Sequence, residues 1–191
     1  MNVSRLLLLG VIALTPSPVL AHTEAGEIMS FSSGLTHPVH GLDHVLAMLA
    51  VGMWAGLLGR RSALGLPLTF LGAMLTGLAL ALIGIEVPAV ETGIVASVLV
   101  LGLAIASGLR LPAATAAVIC AIFGLVHGYA HGSEMGEGVD AVHYIGGFLV
   151  ATALLHAGGF VAAAFLVRKT PDLNRMLGGG IALTGVALLF A

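Results

Sequence analysis

The sequence predicts an all-α integral membrane protein in which about six transmembrane helices form a compact, glycine-rich bundle. Hydrophobic residues make up 59% of the chain and charged residues only 8%, whereas a soluble domain has roughly 25% charged residues. The mean hydropathy is +1.11, and Gly, Pro and charged residues divide the chain into apolar runs of about 20 residues, the length that a bilayer requires. We therefore expect a multi-pass protein surrounded by a lipid bilayer.

The first residues have the pattern of a cleavable secretory signal. Arg5 supplies a positive charge, an apolar core of about nine residues follows, and Val19-Leu20-Ala21 forms a small-residue cleavage pattern after a proline-containing break. The apolar core is short for a hydrocarbon layer of about 30 Å. We expect residues 1–21 to be a signal peptide and residues 22–191 to be a single transmembrane helical domain that begins at His22.

Six spans follow, each bounded by Gly, Pro or charged residues. Pro67 lies just inside the second span, and Pro88 and Pro112 lie in the first turns of the third and fourth, where a missing N–H is tolerated. Glycines recur within the spans at spacings that let helix backbones approach closely in lipid. The predicted spans are 38–59, 64–84, 88–108, 112–131, 140–167 and 174–191.

The distribution of charge predicts the orientation of these spans. With the mature N-terminus outside, every basic residue of the mature chain falls in a cytoplasmic turn, as the positive-inside rule requires, whereas Asp172 is the only acidic residue on that side. The predicted location is the cytoplasmic (inner) membrane, with a periplasmic N-terminus and an acidic outer face that attracts cations. The basic residues are Arg60, Arg61, Arg110, Arg168, Lys169 and Arg175.

Several function classes are excluded by composition. The 7 Lys and Arg residues form no basic stripe with interleaved aromatics, which argues against nucleic acid as a partner. A phosphate-binding Gly-rich loop is absent, as is a Gly-x-Ser-x-Gly elbow, and the single cysteine, Cys120, excludes a Cys-rich metal site. We expect a protein that is not an enzyme and has no prosthetic group.

Two histidine motifs contain the candidate ligands. The first places His37, His40, Asp43 and His44 within eight residues at the start of the first span, where ionisable side chains are costly in lipid and indicate a function. On one continuous helix these side chains would share a face, with Met48 one turn deeper as a soft thioether ligand.

The second motif is the pair His127 and His131 near the end of the fourth span. An i, i+4 spacing places two imidazoles on one helix face about 6 Å apart, close enough to chelate one ion. Both motifs lie on the outer side of the predicted topology, so we expect them to form two halves of one site, with Glu134 and Glu91 as further candidate ligands. Helix capping and interfacial packing are the structural alternatives.

His156 lies roughly 20 Å deeper than His143 along the fifth span and on a different helix face. It is either a second station on an ion path or a histidine that is hydrogen-bonded between helices, and we expect the second. Trp54, Tyr129 and Tyr144 lie toward span ends, a position typical of the interfacial aromatic belt.

The sequence resembles the HupE/UreJ family of bacterial nickel permeases over essentially its whole length. The motifs that show the resemblance are His37-Pro38-x-x-Gly41-x-Asp43-His44, with Met48 and Trp54 downstream, and His127-Gly128-x-x-His131-Gly132-x-Glu134. The resemblance implies secondary transport of Ni²⁺ into the cytoplasm for hydrogenase or urease maturation. It also implies that His37, Asp43, His44, His127 and His131 are motif positions, whereas His40 is a variable one.

The residues themselves leave the ion open, because imidazole and carboxylate ligands suit Ni²⁺, Co²⁺ and Zn²⁺ alike. An inside-negative potential favours entry of a divalent ion by about 4.6 kcal/mol per 100 mV, so uniport suffices and proton coupling is an open alternative. A membrane-embedded Zn-dependent hydrolase and a metal sensor or accessory protein are the other functions to be weighed. Assembly into a homo-oligomer is also open.

Overall fold

A computed structural model describes residues 31–59, 62–135 and 140–190, and every regular element within them is helical. The predicted signal segment, His22, Arg60 and Arg61 lie outside these residues. The elements are α1 (Phe31–Thr36), a 3₁₀ turn (His37–Val39), α2 (Leu42–Leu58), α3 (Ser62–Leu82), α4 (Val90–Ser107), α5 (Ala113–Ser133), α6 (Ala141–Lys169) and α7 (Pro171–Leu188).

The helices α3, α4, α5 and α6 are long and apolar enough to cross a bilayer. The bent pair Phe31–Val39 and Leu42–Leu58 adds a fifth candidate if it forms one span. α7 lies where the sixth span is predicted, but its first turns contain Asp172, Asn174 and Arg175, which make that part of the helix polar. The all-helical prediction is confirmed, and the count of six spans stays a prediction.

Large apolar side chains cover the outside of the bundle. Leu64 is 72% exposed and Val142 is 79% exposed, and an apolar surface of this kind indicates contact with lipid rather than water. The aromatic residues behave otherwise, because Trp54 and Tyr144 are both buried. Trp54 donates its Nε1–H to the carbonyl oxygen of Leu109 at 3.0 Å. Both residues lie near helix ends, as predicted, but their rings pack inside the bundle, so the expectation that they form a lipid-facing aromatic belt is wrong.

Three helix pairs that meet at glycines build the bundle: α2 with α6, α3 with α5, and α4 with α7. Gly124 and Gly128 of α5 lie against the carbonyl oxygens of Phe70 and Met74, so that any Cβ there would clash with the backbone of α3. Gly102 of α4 lies similarly against α7. Close backbone approach at small residues, as predicted, replaces the hydrophobic drive that lipid does not provide.

The pairing places one set of helix ends together. The α3–α5 contacts advance in the same direction along both helices, so these two helices are parallel, and so are α2 and α6. Short connections join α3 to α4 and α5 to α6. The starts of α2, α4 and α6 therefore lie with the ends of α3 and α5, and we call this side of the bundle the histidine end.

The chain bends by 85° just before α2. His37 lies in the 3₁₀ turn, His40 caps that turn, and Gly41 is extended before α2 begins at Leu42. The prediction that one continuous helix contains the first motif is therefore wrong. The cause is visible in the sequence, because Pro38 disfavours the α conformation at the residue before it and Gly41 is a poor helix former.

Candidate metal centre

Four histidine rings contact one another in a row at the histidine end. The ring centroids of His37 and His131 are 4.7 Å apart, those of His131 and His44 are 4.5 Å apart, and those of His44 and His127 are 4.9 Å apart. The 3₁₀ turn, α2 and α5 supply these rings. The two histidine motifs thus lie side by side, and we call the four residues the histidine cluster.

The outer part of the histidine cluster includes a carboxylate. The Nε2 atom of His37 lies 3.2 Å from Oε2 of Glu134, and Nδ1 of His131 lies 3.9 Å from the same oxygen. One ligand atom from each of these three side chains falls within 4.8 Å of the others. Glu134, at the end of α5, is 47% exposed, whereas His131 is buried. The three side chains therefore extend from the solvent-exposed surface into the interior of the bundle.

The inner part consists of His44 and His127, and hydrogen bonds fix the proton on each ring. The Nδ1–H of His127 donates to the carbonyl oxygen of Phe123 at 2.8 Å, and the Nδ1–H of His44 donates to Oδ1 of Asp43 at 2.8 Å. Both acceptors can only accept, so each Nε2 atom retains its lone pair. Both Nε2 atoms are buried and have no hydrogen-bond partner among the described residues. Metal-binding histidines commonly have this arrangement.

Asp43 is held in place by His44 and faces its ring. Its Oδ1 atom accepts the backbone N–H of His44 at 2.7 Å as well as the ring Nδ1–H. Gly41 leaves the space for this pair, since a Cβ there would come within 2.8 Å of the Asp43 oxygen and 2.9 Å of the His44 ring nitrogen. In this geometry the carboxylate orients the His44 ring.

Aromatic side chains that the sequence did not assign to the site form its wall. Tyr144 and Phe148 of α6 contact His37 and His131, with centroid distances of 5.6 and 4.3 Å. Phe70 of α3 contacts His127 at 5.5 Å. The i, i+4 spacing of Tyr144 and Phe148 was the available signal. An apolar shell of this kind limits water and lowers the local dielectric around a site.

Three other predicted site residues lie apart from this geometry. His40 and Glu91 are exposed, and among the described residues neither side chain forms a hydrogen bond, ion pair or ring contact with the histidine cluster. His40 is joined to the cluster through its backbone alone, because its N–H donates to the carbonyl oxygen of His37 at 3.1 Å. Met48 is fully buried in the core, one helical turn beyond His44 on α2. The exposed pair resembles a polar rim, and Met48 is adjacent in depth to the inner histidines.

A second carboxylate–imidazole pair lies at the start of α6, outside the histidine cluster. Nδ1 of His143 lies 2.6 Å from Oδ2 of Asp140, and both side chains are exposed. The hydrogen bonds from His143 hold the pKa of Asp140 below its usual value of 3.8. Asp140 also caps α6 by accepting the backbone N–H of His143.

His156 is buried at mid-depth, with its ring 5.2 Å from that of Phe70. Neither ring nitrogen has a hydrogen-bond partner in the described part of the chain. The interhelical hydrogen bond expected from the sequence is therefore wrong. Phe70 contacts both His127 and His156, so it separates the histidine cluster from a deeper imidazole.

Comparison with known proteins identifies the family. The family model described as HupE / UreJ protein matches residues 9–188. The chain belongs to the HupE/UreJ family. Protein HupE of Rhizobium leguminosarum bv. viciae is 40% identical over 174 residues, which cover 90% of this chain and 91% of that protein. No solved structure matches the chain.

Membership of the HupE/UreJ family confirms the resemblance seen in the two motifs. The family is a transporter-type or accessory family rather than an enzyme family, and it is implicated in nickel or cobalt uptake for hydrogenase or urease. In this HupE/UreJ chain the two motifs, which are about 90 residues apart in sequence, supply all four rings of the histidine cluster.

Proposed function

We propose that this protein is a secondary permease that takes up Ni²⁺, or Co²⁺, across the bacterial cytoplasmic membrane. The observation that supports this most directly is the row of four contacting imidazoles, two of which, His44 and His127, have buried Nε2 atoms without a hydrogen-bond partner among the described residues. Neutral imidazole is a good ligand for Ni²⁺, Co²⁺ and Zn²⁺. Family membership favours the first two ions over Zn²⁺.

The proposed path begins at the half-exposed carboxylate of Glu134. A hydrated ion first binds Glu134 and His37, then exchanges water for His131, and then passes to His44 and His127. Because His131 contacts both His37 and His44, at 4.7 and 4.5 Å between ring centroids, it can hold the ion while His37 is exchanged for His44. Each step must bind weakly enough for the ion to leave. The membrane potential supplies the drive, about 4.6 kcal/mol per 100 mV.

The remaining predicted residues have supporting roles in this proposal. Asp43 keeps the Nε2 lone pair of His44 directed at the ion, and Met48 is the next soft atom beyond His44. His40 and Glu91, exposed at the histidine end, attract and orient the hydrated ion before capture. The histidine end faces the periplasm in this topology, with residues 1–21 as signal and 22–191 as the domain, supported by the distribution of basic residues.

Reconstitution of the purified protein into liposomes tests the proposal. With an inside-negative potential, the wild type should accumulate radioactive Ni²⁺, and His44→Ala and Asp43→Ala should abolish uptake while leaving the protein in the membrane. His143→Ala is the matched control, because His143 is an exposed histidine at the same end outside the cluster, and it should transport normally.

The outcome also separates the alternatives. Ni²⁺ that binds but does not enter the liposomes would indicate a sensor or accessory protein instead of a permease. Turnover of a lipid or peptide at the histidine end would indicate a Zn-dependent hydrolase, which the family assignment does not favour. Normal uptake by both His44→Ala and Asp43→Ala would contradict the proposed site.

A further inference from the structure

α6 presents one continuous buried face from the histidine end to the middle of the bundle. Tyr144, Phe148, Thr152 and His156 follow one another at i, i+4 spacing, and each is at most 2% exposed. The first two contact His37 and His131. From Phe148 to His156 the same face continues roughly 12 Å deeper, so the wall of the histidine cluster leads directly to a second imidazole.

This deeper segment contains polar atoms without partners. Within the described residues, the hydroxyl of Thr152 and both ring nitrogens of His156 are buried and form no hydrogen bond. A polar group left unsatisfied in an apolar interior costs about 1–3 kcal/mol. Three such atoms, one helical turn apart on the same face, indicate a place where a ligand or its water completes the bonding.

α2 adds a soft atom at the same depth. Gly52 of α2 lies against the backbone carbonyl of His156, and the two helices are parallel. Leu49 lies against Gly159 in the same interface. These contacts place Met48, which is fully buried, within one helical turn of the level of His156 and deeper than Thr152. Imidazole, hydroxyl and thioether groups thus lie within about one helical turn of depth of one another between α2 and α6, on the far side of Phe70 from His127.

We propose that His156, Thr152 and Met48 form an inner station at which the permeating divalent ion is held after it leaves the histidine cluster and passes Phe70. A site with few ligands of different types binds an ion weakly enough for the ion to leave again. The proposal rests on the proposed transport function. It assigns to His156 direct contact with the ion rather than a packing role.

A cysteine reporter tests for the ion at position 156. Cys120 is the only cysteine in the sequence, so Cys120→Ala gives a cysteine-free background. In that background, His156→Cys places a thiolate ligand at the proposed station, and Ni²⁺ bound there should produce a thiolate-to-nickel charge-transfer absorption. Ala157→Cys is the matched control, because the next residue lies at the same depth but is exposed toward lipid. A band in His156→Cys alone supports the station; no band, or equal bands, overturns it.

The conservative variant His156→Gln provides a second measurement that does not depend on the cysteine. We expect bound Ni²⁺ to fall from two ions per chain to one, and maximal uptake to fall about tenfold, while the affinity of the histidine cluster stays within about twofold. Unchanged stoichiometry and uptake in a wild-type-like fold would overturn the station and leave the transport proposal intact. If the wild type itself moves no Ni²⁺, the transport proposal fails, and the stoichiometry still decides whether the inner station exists.

Discussion

Replacing Asp43 by Asn tests whether this carboxylate acts on the metal through His44. In the wild type, Nδ1 of His44 lies 2.8 Å from Oδ1 of Asp43. The Asn variant keeps the size of the side chain and an oxygen that can accept the His44 Nδ1–H, but it removes the negative charge. If Asp43 orients His44 and raises the basicity of its Nε2 atom, the substitution weakens Ni²⁺ binding without removing a ligand.

The size of the effect follows from the hydrogen bond that is weakened. A hydrogen bond to a charged group contributes about 1.5–3 kcal/mol and a neutral one about 0.5–1.5 kcal/mol. The pair is only partly exposed, 13% for His44 and 24% for Asp43, so solvent screens it incompletely. We expect a loss of about 1.4 kcal/mol, which is tenfold in the dissociation constant. Changes of such supporting residues typically cost about 10- to 100-fold.

Calorimetric titration of Ni²⁺ into the detergent-solubilised protein measures this change. The matched control is Asp140→Asn, which breaks a similar pair, Asp140 with His143 at 2.6 Å, at the same end of the bundle but in an exposed position. Binding should weaken about tenfold in the first variant and remain unchanged in the second. Unchanged binding in Asp43→Asn, or an equal loss in both variants, would refute the positioning role.

Other predictions concern glycines and the exposed ion pair. Gly41→Ala should displace the neighbouring carboxylate–imidazole pair and lower Ni²⁺ uptake about tenfold with little change in thermal unfolding; full activity would contradict the contact. Gly128→Ala should destabilise the α3–α5 interface by about 1–3 kcal/mol, whereas Gly72→Ala, with no atom within 4 Å, should be neutral or stabilising by up to about 1 kcal/mol in detergent unfolding; equal effects would contradict the packing. The pKa of the Asp140 carboxyl, followed by carbon NMR, should lie below 3.8 in the wild type and should rise in His143→Ala. The stability that the Asp140–His143 pair adds is then present above the pKa of Asp140 in the unfolded chain and is lost as the pH falls through its lower pKa in the folded protein. Identical titration of Asp140 in both proteins would contradict this.

The helices were predictable because apolar runs of bilayer length have few other solutions. Their pairing was not. The spacing of Gly124 and Gly128 predicts that something approaches α5 closely, but it contains no information on which helix does so. The answer, the backbone of α3 at Phe70 and Met74, depends on how all the helices share the available neighbours.

The candidate site was predictable in its residue types and less so in its shape. Convergence of His44 and His127 follows from placing both motifs on one side of the membrane, which the charge distribution allowed. The contact of Phe70 with both His127 and His156 was not predictable, since a phenylalanine in an apolar span gives no signal. His156 was misassigned for a related reason, because the helix it faces cannot be read from its own span.

The proline and glycine residues of the two motifs offer no metal-binding atom, but they explain how the motifs position their histidines. Pro38 and Gly41 end one helical segment and begin another at an 85° bend, which brings His37 to His131. Gly41 also leaves the space in which Asp43 orients His44.

In the second motif, Gly128 and Gly132 let α5 approach the backbone of α3 and the side chain of Ala81. This contact fixes the rotation of α5, and with it the direction of the His127 and His131 rings toward α2. Proline and glycine therefore determine the position of the imidazoles as much as the histidine spacing does, and a chain with the same histidines but alanine at these glycines should lose the histidine cluster before it loses its helices.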